Sequence, residues 1–399
     1  MKRYYIVTLI ICLAALLASS FIFNFWDKTQ RIDIVRVGYL SENDEMTAGI
    51  YNFFQSKNIL EKTFPNHVEI YTHTNVQDDE TDEALRELIR SGCGIIFAST
   101  RSEKVREIAA EYPNVQFCQM TFGIAAEVKS GSNFHTFNAR AFEGQYVSGI
   151  AAGMKLRELI DNGTITPEEA VVGYIASFPT AETISGYTAF LLGIRSEAPE
   201  AVMRVRYVNS LSNFSREKKN ARALIDEGCI IISQNSGTTG PAAACQEASA
   251  NRLVYFVGYN DNLIDVASTI SLVSSRPNWD NYVLNAVQAV IADRPIEKQA
   301  AGDVHGNDIC AGFDHGWVEV IDLNEDITAP GTDEKIQKAI EEIRQGKLKI
   351  FIGDYVGVDA NNSRIKIDLN EGFKENSSSS QATFHYILRD VITIEETIE

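Results

Sequence analysis

The densest group of chemistry-bearing residues is "HGNDICAGFDH", residues 305–315. It holds His305, Asp308, Cys310, Asp314 and His315, side-chain types that zinc accepts. Their spacing matches no familiar metal pattern, and glycine-rich turns commonly carry such residues, so the phrase reads as a turn. "GTTGP" (237–241) begins like a phosphate loop but lacks the following Lys, which makes it a helix entry. No G-x-S-x-G elbow and no H-E-x-x-H motif occurs. With 54 acidic residues, a pair of carboxylates close in sequence carries no information. These patterns point to binding rather than catalysis, with no cofactor or metal.

Binding chemistry is written at the ends of two related phrases. "ELIRSGCGIIFAS" (87–99) and "ALIDEGCIIISQN" (223–235) share an apolar pair, a polar pair, Gly-Cys, an apolar run and a small polar end. The offset is 229 − 93 = 136 residues. The 3.6-residue spacing of Ala84, Leu85, Leu88 and Ile89 predicts a helix, with Gly92 as its stop. The run that follows reads as a central strand, covered by helices on both faces.

The same alternation extends along the chain. Strands are expected at 32–40, 67–73, 94–99 and 115–120, with helices at about 45–57, 80–91 and 101–111. After a helical stretch near 140–160 it restarts, with strands at 170–177, 202–209, 229–235 and 253–260. Each copy of the repeated phrase is then the third strand of a separate α/β lobe. Ligands of open α/β sheets bind at the carboxyl ends of strands, so Ser99-Thr100 and Asn235-Ser236 should face one cleft. Farther on, "KIFIGDY" (349–355) reads as a strand and "NSSSSQ" (376–381) as a surface loop.

The bulk properties fit this picture. A chain of 399 residues suits two domains, and a net charge of −18 repels phosphate backbones, which argues against nucleic-acid partners. Lys2 and Arg3 precede an apolar run from Ile6 to about Trp26, long enough for a signal peptide or for one membrane anchor with the following chain outside. Cys12 follows Ile11 where a lipobox wants a small residue. Five later cysteines, an odd number, give no disulfide framework.

Several longer phrases resemble the basic membrane protein family, the purine nucleoside receptor-like solute-binding proteins. They are "NARAFEGQYVSGIAAG" (138–153), "VGYIASFPTAETISGYTAFLLGIRSEAPEA" (172–201), "VGYNDN" (257–262), "PNWDNYVLNAVQAVI" (277–291) and "GKLKIFIGDY" (346–355). The resemblance covers roughly 32–370. It implies a two-lobed, type I periplasmic-binding fold of the α/β class, which delivers a nucleoside or nucleobase to an ABC permease outside the cytoplasm. The expected lobes are 32–139 with about 263–300, and 140–260 with about 301–370. Residues 1–28 form the leader and 371–399 a C-terminal extension.

In such proteins a flat base stacks on aromatic rings, and Asp, Asn and Ser read its edges. The matching positions are Phe178 in "ASFP", Trp279 in "NW", Tyr39 and Asp44 in the first strand and loop, and Asn260 and Asp261 in the hinge phrase. The strand ends add Ser99, Asn235 and Ser236. Each has a plainer reading. Phe178 could cap the core, Trp279 could pack between lobes, Tyr39 could end a strand, Asp44 could cap a helix, and the two Asn residues could serve turns. Relatives carry Trp where Met46 and Leu211 stand, and His and Asp where Asn235 and Gly237 stand. These departures fall on the expected cleft, so either the ligand has changed or the fold serves a membrane-anchored sensor without transport.

Overall fold

The computed structural model describes residues 34–45, 47, 50–122, 132–260 and 266–399. The leader, Met46 and Asp261 lie outside the described residues. The first α/β unit runs β1 (Val35–Ser41), α1 (Ile50–Thr63), β2 (Val68–His73), α2 (Thr81–Arg90), β3 (Ile95–Ser99), α3 (Lys104–Glu111), β4 (Gln116–Met120) and β5 (Phe134–Ala139). After α4 (Ala141–Asp161) the pattern restarts with β6 (Val171–Ala176), α5 (Ala181–Arg195), β7 (Val202–Tyr207), α6 (Phe214–Asp226), β8 (Ile231–Gln234), α7 (Gly240–Ala248) and β9 (Tyr255–Tyr259).

The repeated phrase has a local physical cause. α2 and α6 end in the same way. The Gly92 N–H donates to the Ile89 carbonyl and the Cys93 N–H to the Leu88 carbonyl, at 2.8 and 3.2 Å. Gly228 and Cys229 repeat this toward Ile225 and Leu224, at 3.1 and 3.0 Å. This paired closure needs a left-handed residue after the helix and an apolar contact beyond it. Gly92 and Gly228 supply φ of 84° and 94°. Cys93 packs in the same cluster as Leu88, and Cys229 in the same cluster as Leu224. The strands that follow, β3 and β8, are fully buried. All five cysteines among the described residues are free and buried.

The next elements are β10 (Ser271–Pro277), α8 (Asp280–Ile291), α9 (Ile296–Gln299), β11 (Asp303–His305), β12 (Asp308–Ala311) and β13 (Val318–Ile321). They complete two seven-stranded sheets, ordered β11-β12-β5-β4-β3-β1-β2 and β13-β10-β9-β8-β6-β7-β17, the last strand being Ile392–Glu395. Among the described residues of these two sheets, only the β11–β12 and β10–β13 pairs are antiparallel. Each sheet has its third strand beside its first, as the repeat implies.

The exchange between units differs from the expected boundaries. β10, expected with the first unit, pairs with β9 in the second sheet. β11 and β12, expected with the second, lie in the first sheet through the parallel β12–β5 pair. The C-terminal residues are not a separate extension, because β17 pairs in parallel with β7. "KIFIGDY" is not a strand. Gly353, at φ 142°, and a Tyr355 N–H to Gly353 carbonyl bond turn the chain there. A three-stranded sheet follows, with β14 (Val356–Asp359) between β15 (Lys366–Asp368) and β16 (Tyr386–Ile387). α10 (Thr332–Arg344) packs on α4.

The chain passes between the sheets at 139–141, 277–280 and 311–318. Arg140, at the first passage, ties them together. Its guanidinium pairs with Glu143 at 2.6 Å, Asp303 at 2.9 Å and Asp314 at 2.6 Å. Glu143 also accepts the Phe313 N–H at 2.8 Å. Burial pushes the Glu143 carboxyl above its ordinary range against the pull of Arg140. At Asp314 burial works the same way, but Arg140 and the Gly312 N–H outweigh it and hold the carboxyl low. Asp314 therefore has structural partners, and so does Asp308, which accepts the Thr136 hydroxyl at 2.7 Å. Among the described residues no group of three or more His, Cys, Asp or Glu is placed to hold a metal ion.

Candidate functional site

Between the two units lies a cavity of about 180 Å³. The first unit contributes Glu42, Asn43, Thr47, Arg101, Met120, Phe122 and Asn138. The second contributes Ser177, Phe178, Glu182, Thr183, Asn235, Gly237, Tyr259 and Asn260. Phe142, Gln145, Pro277 and Trp279 lie at the passages between them. Direct contact already joins the two sides, since the Asn52 amide donates to the Asn260 carbonyl.

Strand ends and helix starts position these groups. β6 ends at Ala176, and the chain turns through Ser177 and Phe178 into α5. Asn235, at the end of β8, fixes that turn. Its Oδ1 accepts the Ser177 N–H at 3.0 Å and its Nδ2 donates to Thr183 Oγ1 at 2.9 Å. Thr180 caps α5 by accepting the Thr183 N–H at 3.3 Å. Asn235 is thus both a cavity wall and the brace of the loop that carries the half-buried Phe178 ring. Asn260 follows β9 in a left-handed conformation, φ 72°. Among the described residues its buried Oδ1 has no hydrogen-bond partner, and neither does the Trp279 indole Nε1. Trp279 is 4% exposed and packs edge-on against Phe137, with centroids 5.4 Å apart. It therefore combines packing between the units with a place on the cavity wall.

Other expected site residues fall elsewhere. Tyr39 does not line the cavity. It is fully buried, its hydroxyl 3.0 Å from Ser56 Oγ and its ring 5.2 Å from Phe53 and 5.5 Å from Phe97. Side chains alternate along a strand, and this one faces α1. Ser99 and Ser236 are buried at their strand ends behind the wall. The neighbours Arg101 and Gly237 reach the cavity in their place. Asp44 is exposed in the turn before α1, where its carbonyl accepts the Thr47 N–H at 3.0 Å, while Asn43 and Thr47 line the cavity.

The strongest group absent from the expected set is Glu182. It stands in the first turn of α5, where an acidic residue reads as an ordinary helix-start charge. Its side chain is exposed to solvent at the cavity, with the cleft walls crowded around it. Crowding by the cleft walls pushes its carboxyl above the ordinary range, opposed by the Arg101 charge and the nearby Asn138 amide. Arg101 is itself committed to Glu42 at 2.7 Å and lies 5.1 Å over the Phe122 ring. Glu42, Arg101 and Glu182 are the charged side chains among the described lining residues, a net charge of −1.

The sequence profile described as Bmp, ABC transporter substrate-binding protein PnrA-like, matches residues 38–350. The chain belongs to this family. Bmp proteins are solute-binding components of ABC transporters, not an enzyme family, and they work outside the cytoplasm with a small-molecule ligand and a permease. The chain is 27% identical over 312 residues to a purine-binding protein of Brucella abortus, covering 76% of this chain and 79% of the relative. It is 28% identical over 207 residues to a putative ABC transporter glucose-binding protein of Haloferax volcanii, covering 51% of this chain and 47% of the relative. A solved ABC transporter solute-binding protein of Conexibacter woesei has the same fold, with a TM-score of 0.62 and 14% identity over 79% of this chain and 98% of that one. Among the described residues no helix is long and apolar enough to cross a membrane.

Gly237 is held small by its surroundings. A Cβ there would lie 2.3 Å from the Leu211 carbonyl oxygen. The loop around Leu211 closes over this position, so any side chain at 237 requires that loop to move.

Proposed function

We propose that the protein captures a neutral nucleobase or nucleoside in this cavity and presents it to an ABC permease. The observation that carries the reading is the meeting, along one cavity, of aromatic rings with polar side chains. Phe178, Phe142 and Tyr259 supply faces for a flat heterocycle. The Glu182 carboxylate accepts N–H groups, and Asn260 Oδ1 and Trp279 Nε1, closed off in the empty cavity, add an acceptor and a donor once ligand entry parts the walls around them. A buried polar group without a partner costs about 1–3 kcal/mol, so a ligand edge that satisfies these atoms is selected over one that does not. At about 180 Å³ the cavity is only a little larger than the roughly 150 Å³ that holds one benzene ring, so a nucleoside requires the two units to open further. Arg101 is neutralised by Glu42, which leaves Glu182 to repel phosphate, so free nucleosides and bases are favoured over nucleotides. The Brucella relative's name supports a purine; the Haloferax relative's name makes glucose the competitor to exclude. The N-terminal apolar run serves export or anchoring, with the rest of the chain outside.

A thermal-shift series on the full chain tests this, with adenosine, guanosine, adenine, guanine, adenosine monophosphate and D-glucose. A ligand at 100 times its dissociation constant stabilises by about 2.7 kcal/mol. A nucleoside or base should raise Tm and the monophosphate should not. A rise with D-glucose alone overturns the proposal.

A further inference from the structure

The family match ends at residue 350, yet Asn376, Ser380 and Ala382 line the cavity. We infer that the C-terminal segment around residues 375–384 is a fixed third wall of the ligand cavity, which limits the size of the ligand. The inference rests on the reading of that cavity as the ligand site.

"NSSSSQ" has the composition of a loose surface loop, but here it is built. Asn376 takes a left-handed conformation, φ 53°, and its Nδ2 donates to the carbonyls of Ser380 at 3.0 Å and Gln381 at 2.9 Å. The Glu375 carboxylate is 6% exposed and closes the loop from the other side. It accepts the Thr383 N–H at 2.6 Å, the Phe384 N–H at 2.8 Å and the Thr383 hydroxyl at 3.0 Å. Asn and Glu each bridge several backbone groups, so the loop carries its own hydrogen-bonded frame.

The frame is anchored on both units. Toward the first, the Ser380 N–H donates to Asp308 Oδ2 at 2.6 Å, and Ser380 Oγ lies 2.6 Å from Thr121 Oγ1. Asp308, 1% exposed at the start of β12, spends its other oxygen on the Thr136 hydroxyl at 2.7 Å. Toward the second, Phe384 stacks on Phe351 at 4.4 Å, and Phe351 lies 5.3 Å from Phe142 on α4. Beyond the loop, β17 pairs with β7. A segment held at both ends and braced within presents a set surface to the cavity. Ala382, the smallest residue on that surface, leaves the space that a larger side chain would take.

The test uses the full chain and two variants. The first is the double variant Thr121→Cys/Ser380→Cys, treated with mild oxidant without ligand. The two hydroxyl oxygens that the sulfurs would replace lie 2.6 Å apart, near the S–S length of about 2.05 Å, and the five native cysteines of the described residues are buried. The inference expects a disulfide linking 121 to 380, and failure to form it overturns the wall. The second is Ala382→Trp, titrated with adenosine, guanosine and their free bases beside the parent. The inference expects a loss of about tenfold or more for probes that the parent binds, with Tm close to the parent's. Equal affinity in a folded variant overturns it even where the disulfide forms. If the parent binds none of the four probes, the nucleoside reading fails, and the disulfide alone decides whether the wall exists.

Discussion

Replacing Phe178 by Ala separates a ligand-stacking ring from a packing ring. Phe178 is half-buried, in a turn held by the Asn235 bonds to Ser177 and Thr183 and by the Thr180 N–H to its own carbonyl at 2.8 Å. None of these bonds uses the ring, so the turn keeps its shape in the variant. Fully burying a Phe side chain is worth about 1.5–3 kcal/mol, so a half-buried one contributes about 1 kcal/mol to folding. The ring borders the cavity, so its removal leaves no sealed void, and the larger cost of a core Phe→Ala change does not apply. Base-on-ring stacking is worth about 1–3 kcal/mol per base. The expected result is therefore a weakening of about 5- to 150-fold, at about 1.4 kcal/mol per tenfold, with a small fall in Tm. Isothermal titration with adenosine and guanosine, beside urea unfolding of the free protein, reads both numbers. Unchanged affinity, or unfolding before ligand is added, refutes the stacking argument.

Glu182→Gln tests the carboxylate. Glu182 is ionised above its raised pKa, so parent affinity for a ligand N–H should fall as pH drops through that value, while the Gln variant binds more weakly and without that pH dependence in titrations at several pH values. The stability sign is opposite: a carboxyl whose folded pKa is raised favours folding below the ordinary carboxylate range and loses that contribution as pH rises through the raised value. Arg140→Ala leaves Glu143 buried without its cation and should cost about 3–5 kcal/mol in urea unfolding; a cost under about 1 kcal/mol would show that the junction does not depend on this network. Gly237→Asp places a Cβ 2.3 Å from the Leu211 carbonyl and should destabilise by about 1–3 kcal/mol, the usual range for overpacking, in the same assay. A neutral result there would show that the Leu211 loop moves freely.

What the chain discloses before folding is mostly local. The Gly-Cys phrase was readable twice because a helix end closed by left-handed glycine needs only the neighbouring residues, and each copy leads into a buried parallel strand. Partner choice is not local. Nothing within residues 308–311 says that they pair with β5 rather than with the second sheet, and β10 was assigned to the wrong unit for the same reason. Phe178, Trp279, Asn235 and Asn260, polar or aromatic residues at strand ends and helix starts, line the cavity. Tyr39 was misplaced because strand alternation turned it toward α1. Glu182 was missed because a first-turn acid looks like an ordinary helix start, and its significance lies in Asn138 and Arg101 across the cleft. The loop at 376–381 looked featureless because its order comes from Glu375 and from Asp308, which are not within the serine run.

The central claim is that the cleft recognises a flat, uncharged heterocycle. Its most direct test is a calorimetric titration of the full chain with adenosine, guanosine, adenine and guanine, against adenosine monophosphate and D-glucose under the same conditions. Saturable one-to-one binding of at least one nucleoside or base is expected, with a negative heat-capacity change from burial of ring surface, and no comparable binding of the monophosphate or the sugar. One-to-one binding of D-glucose with none of the nucleosides or bases would contradict it.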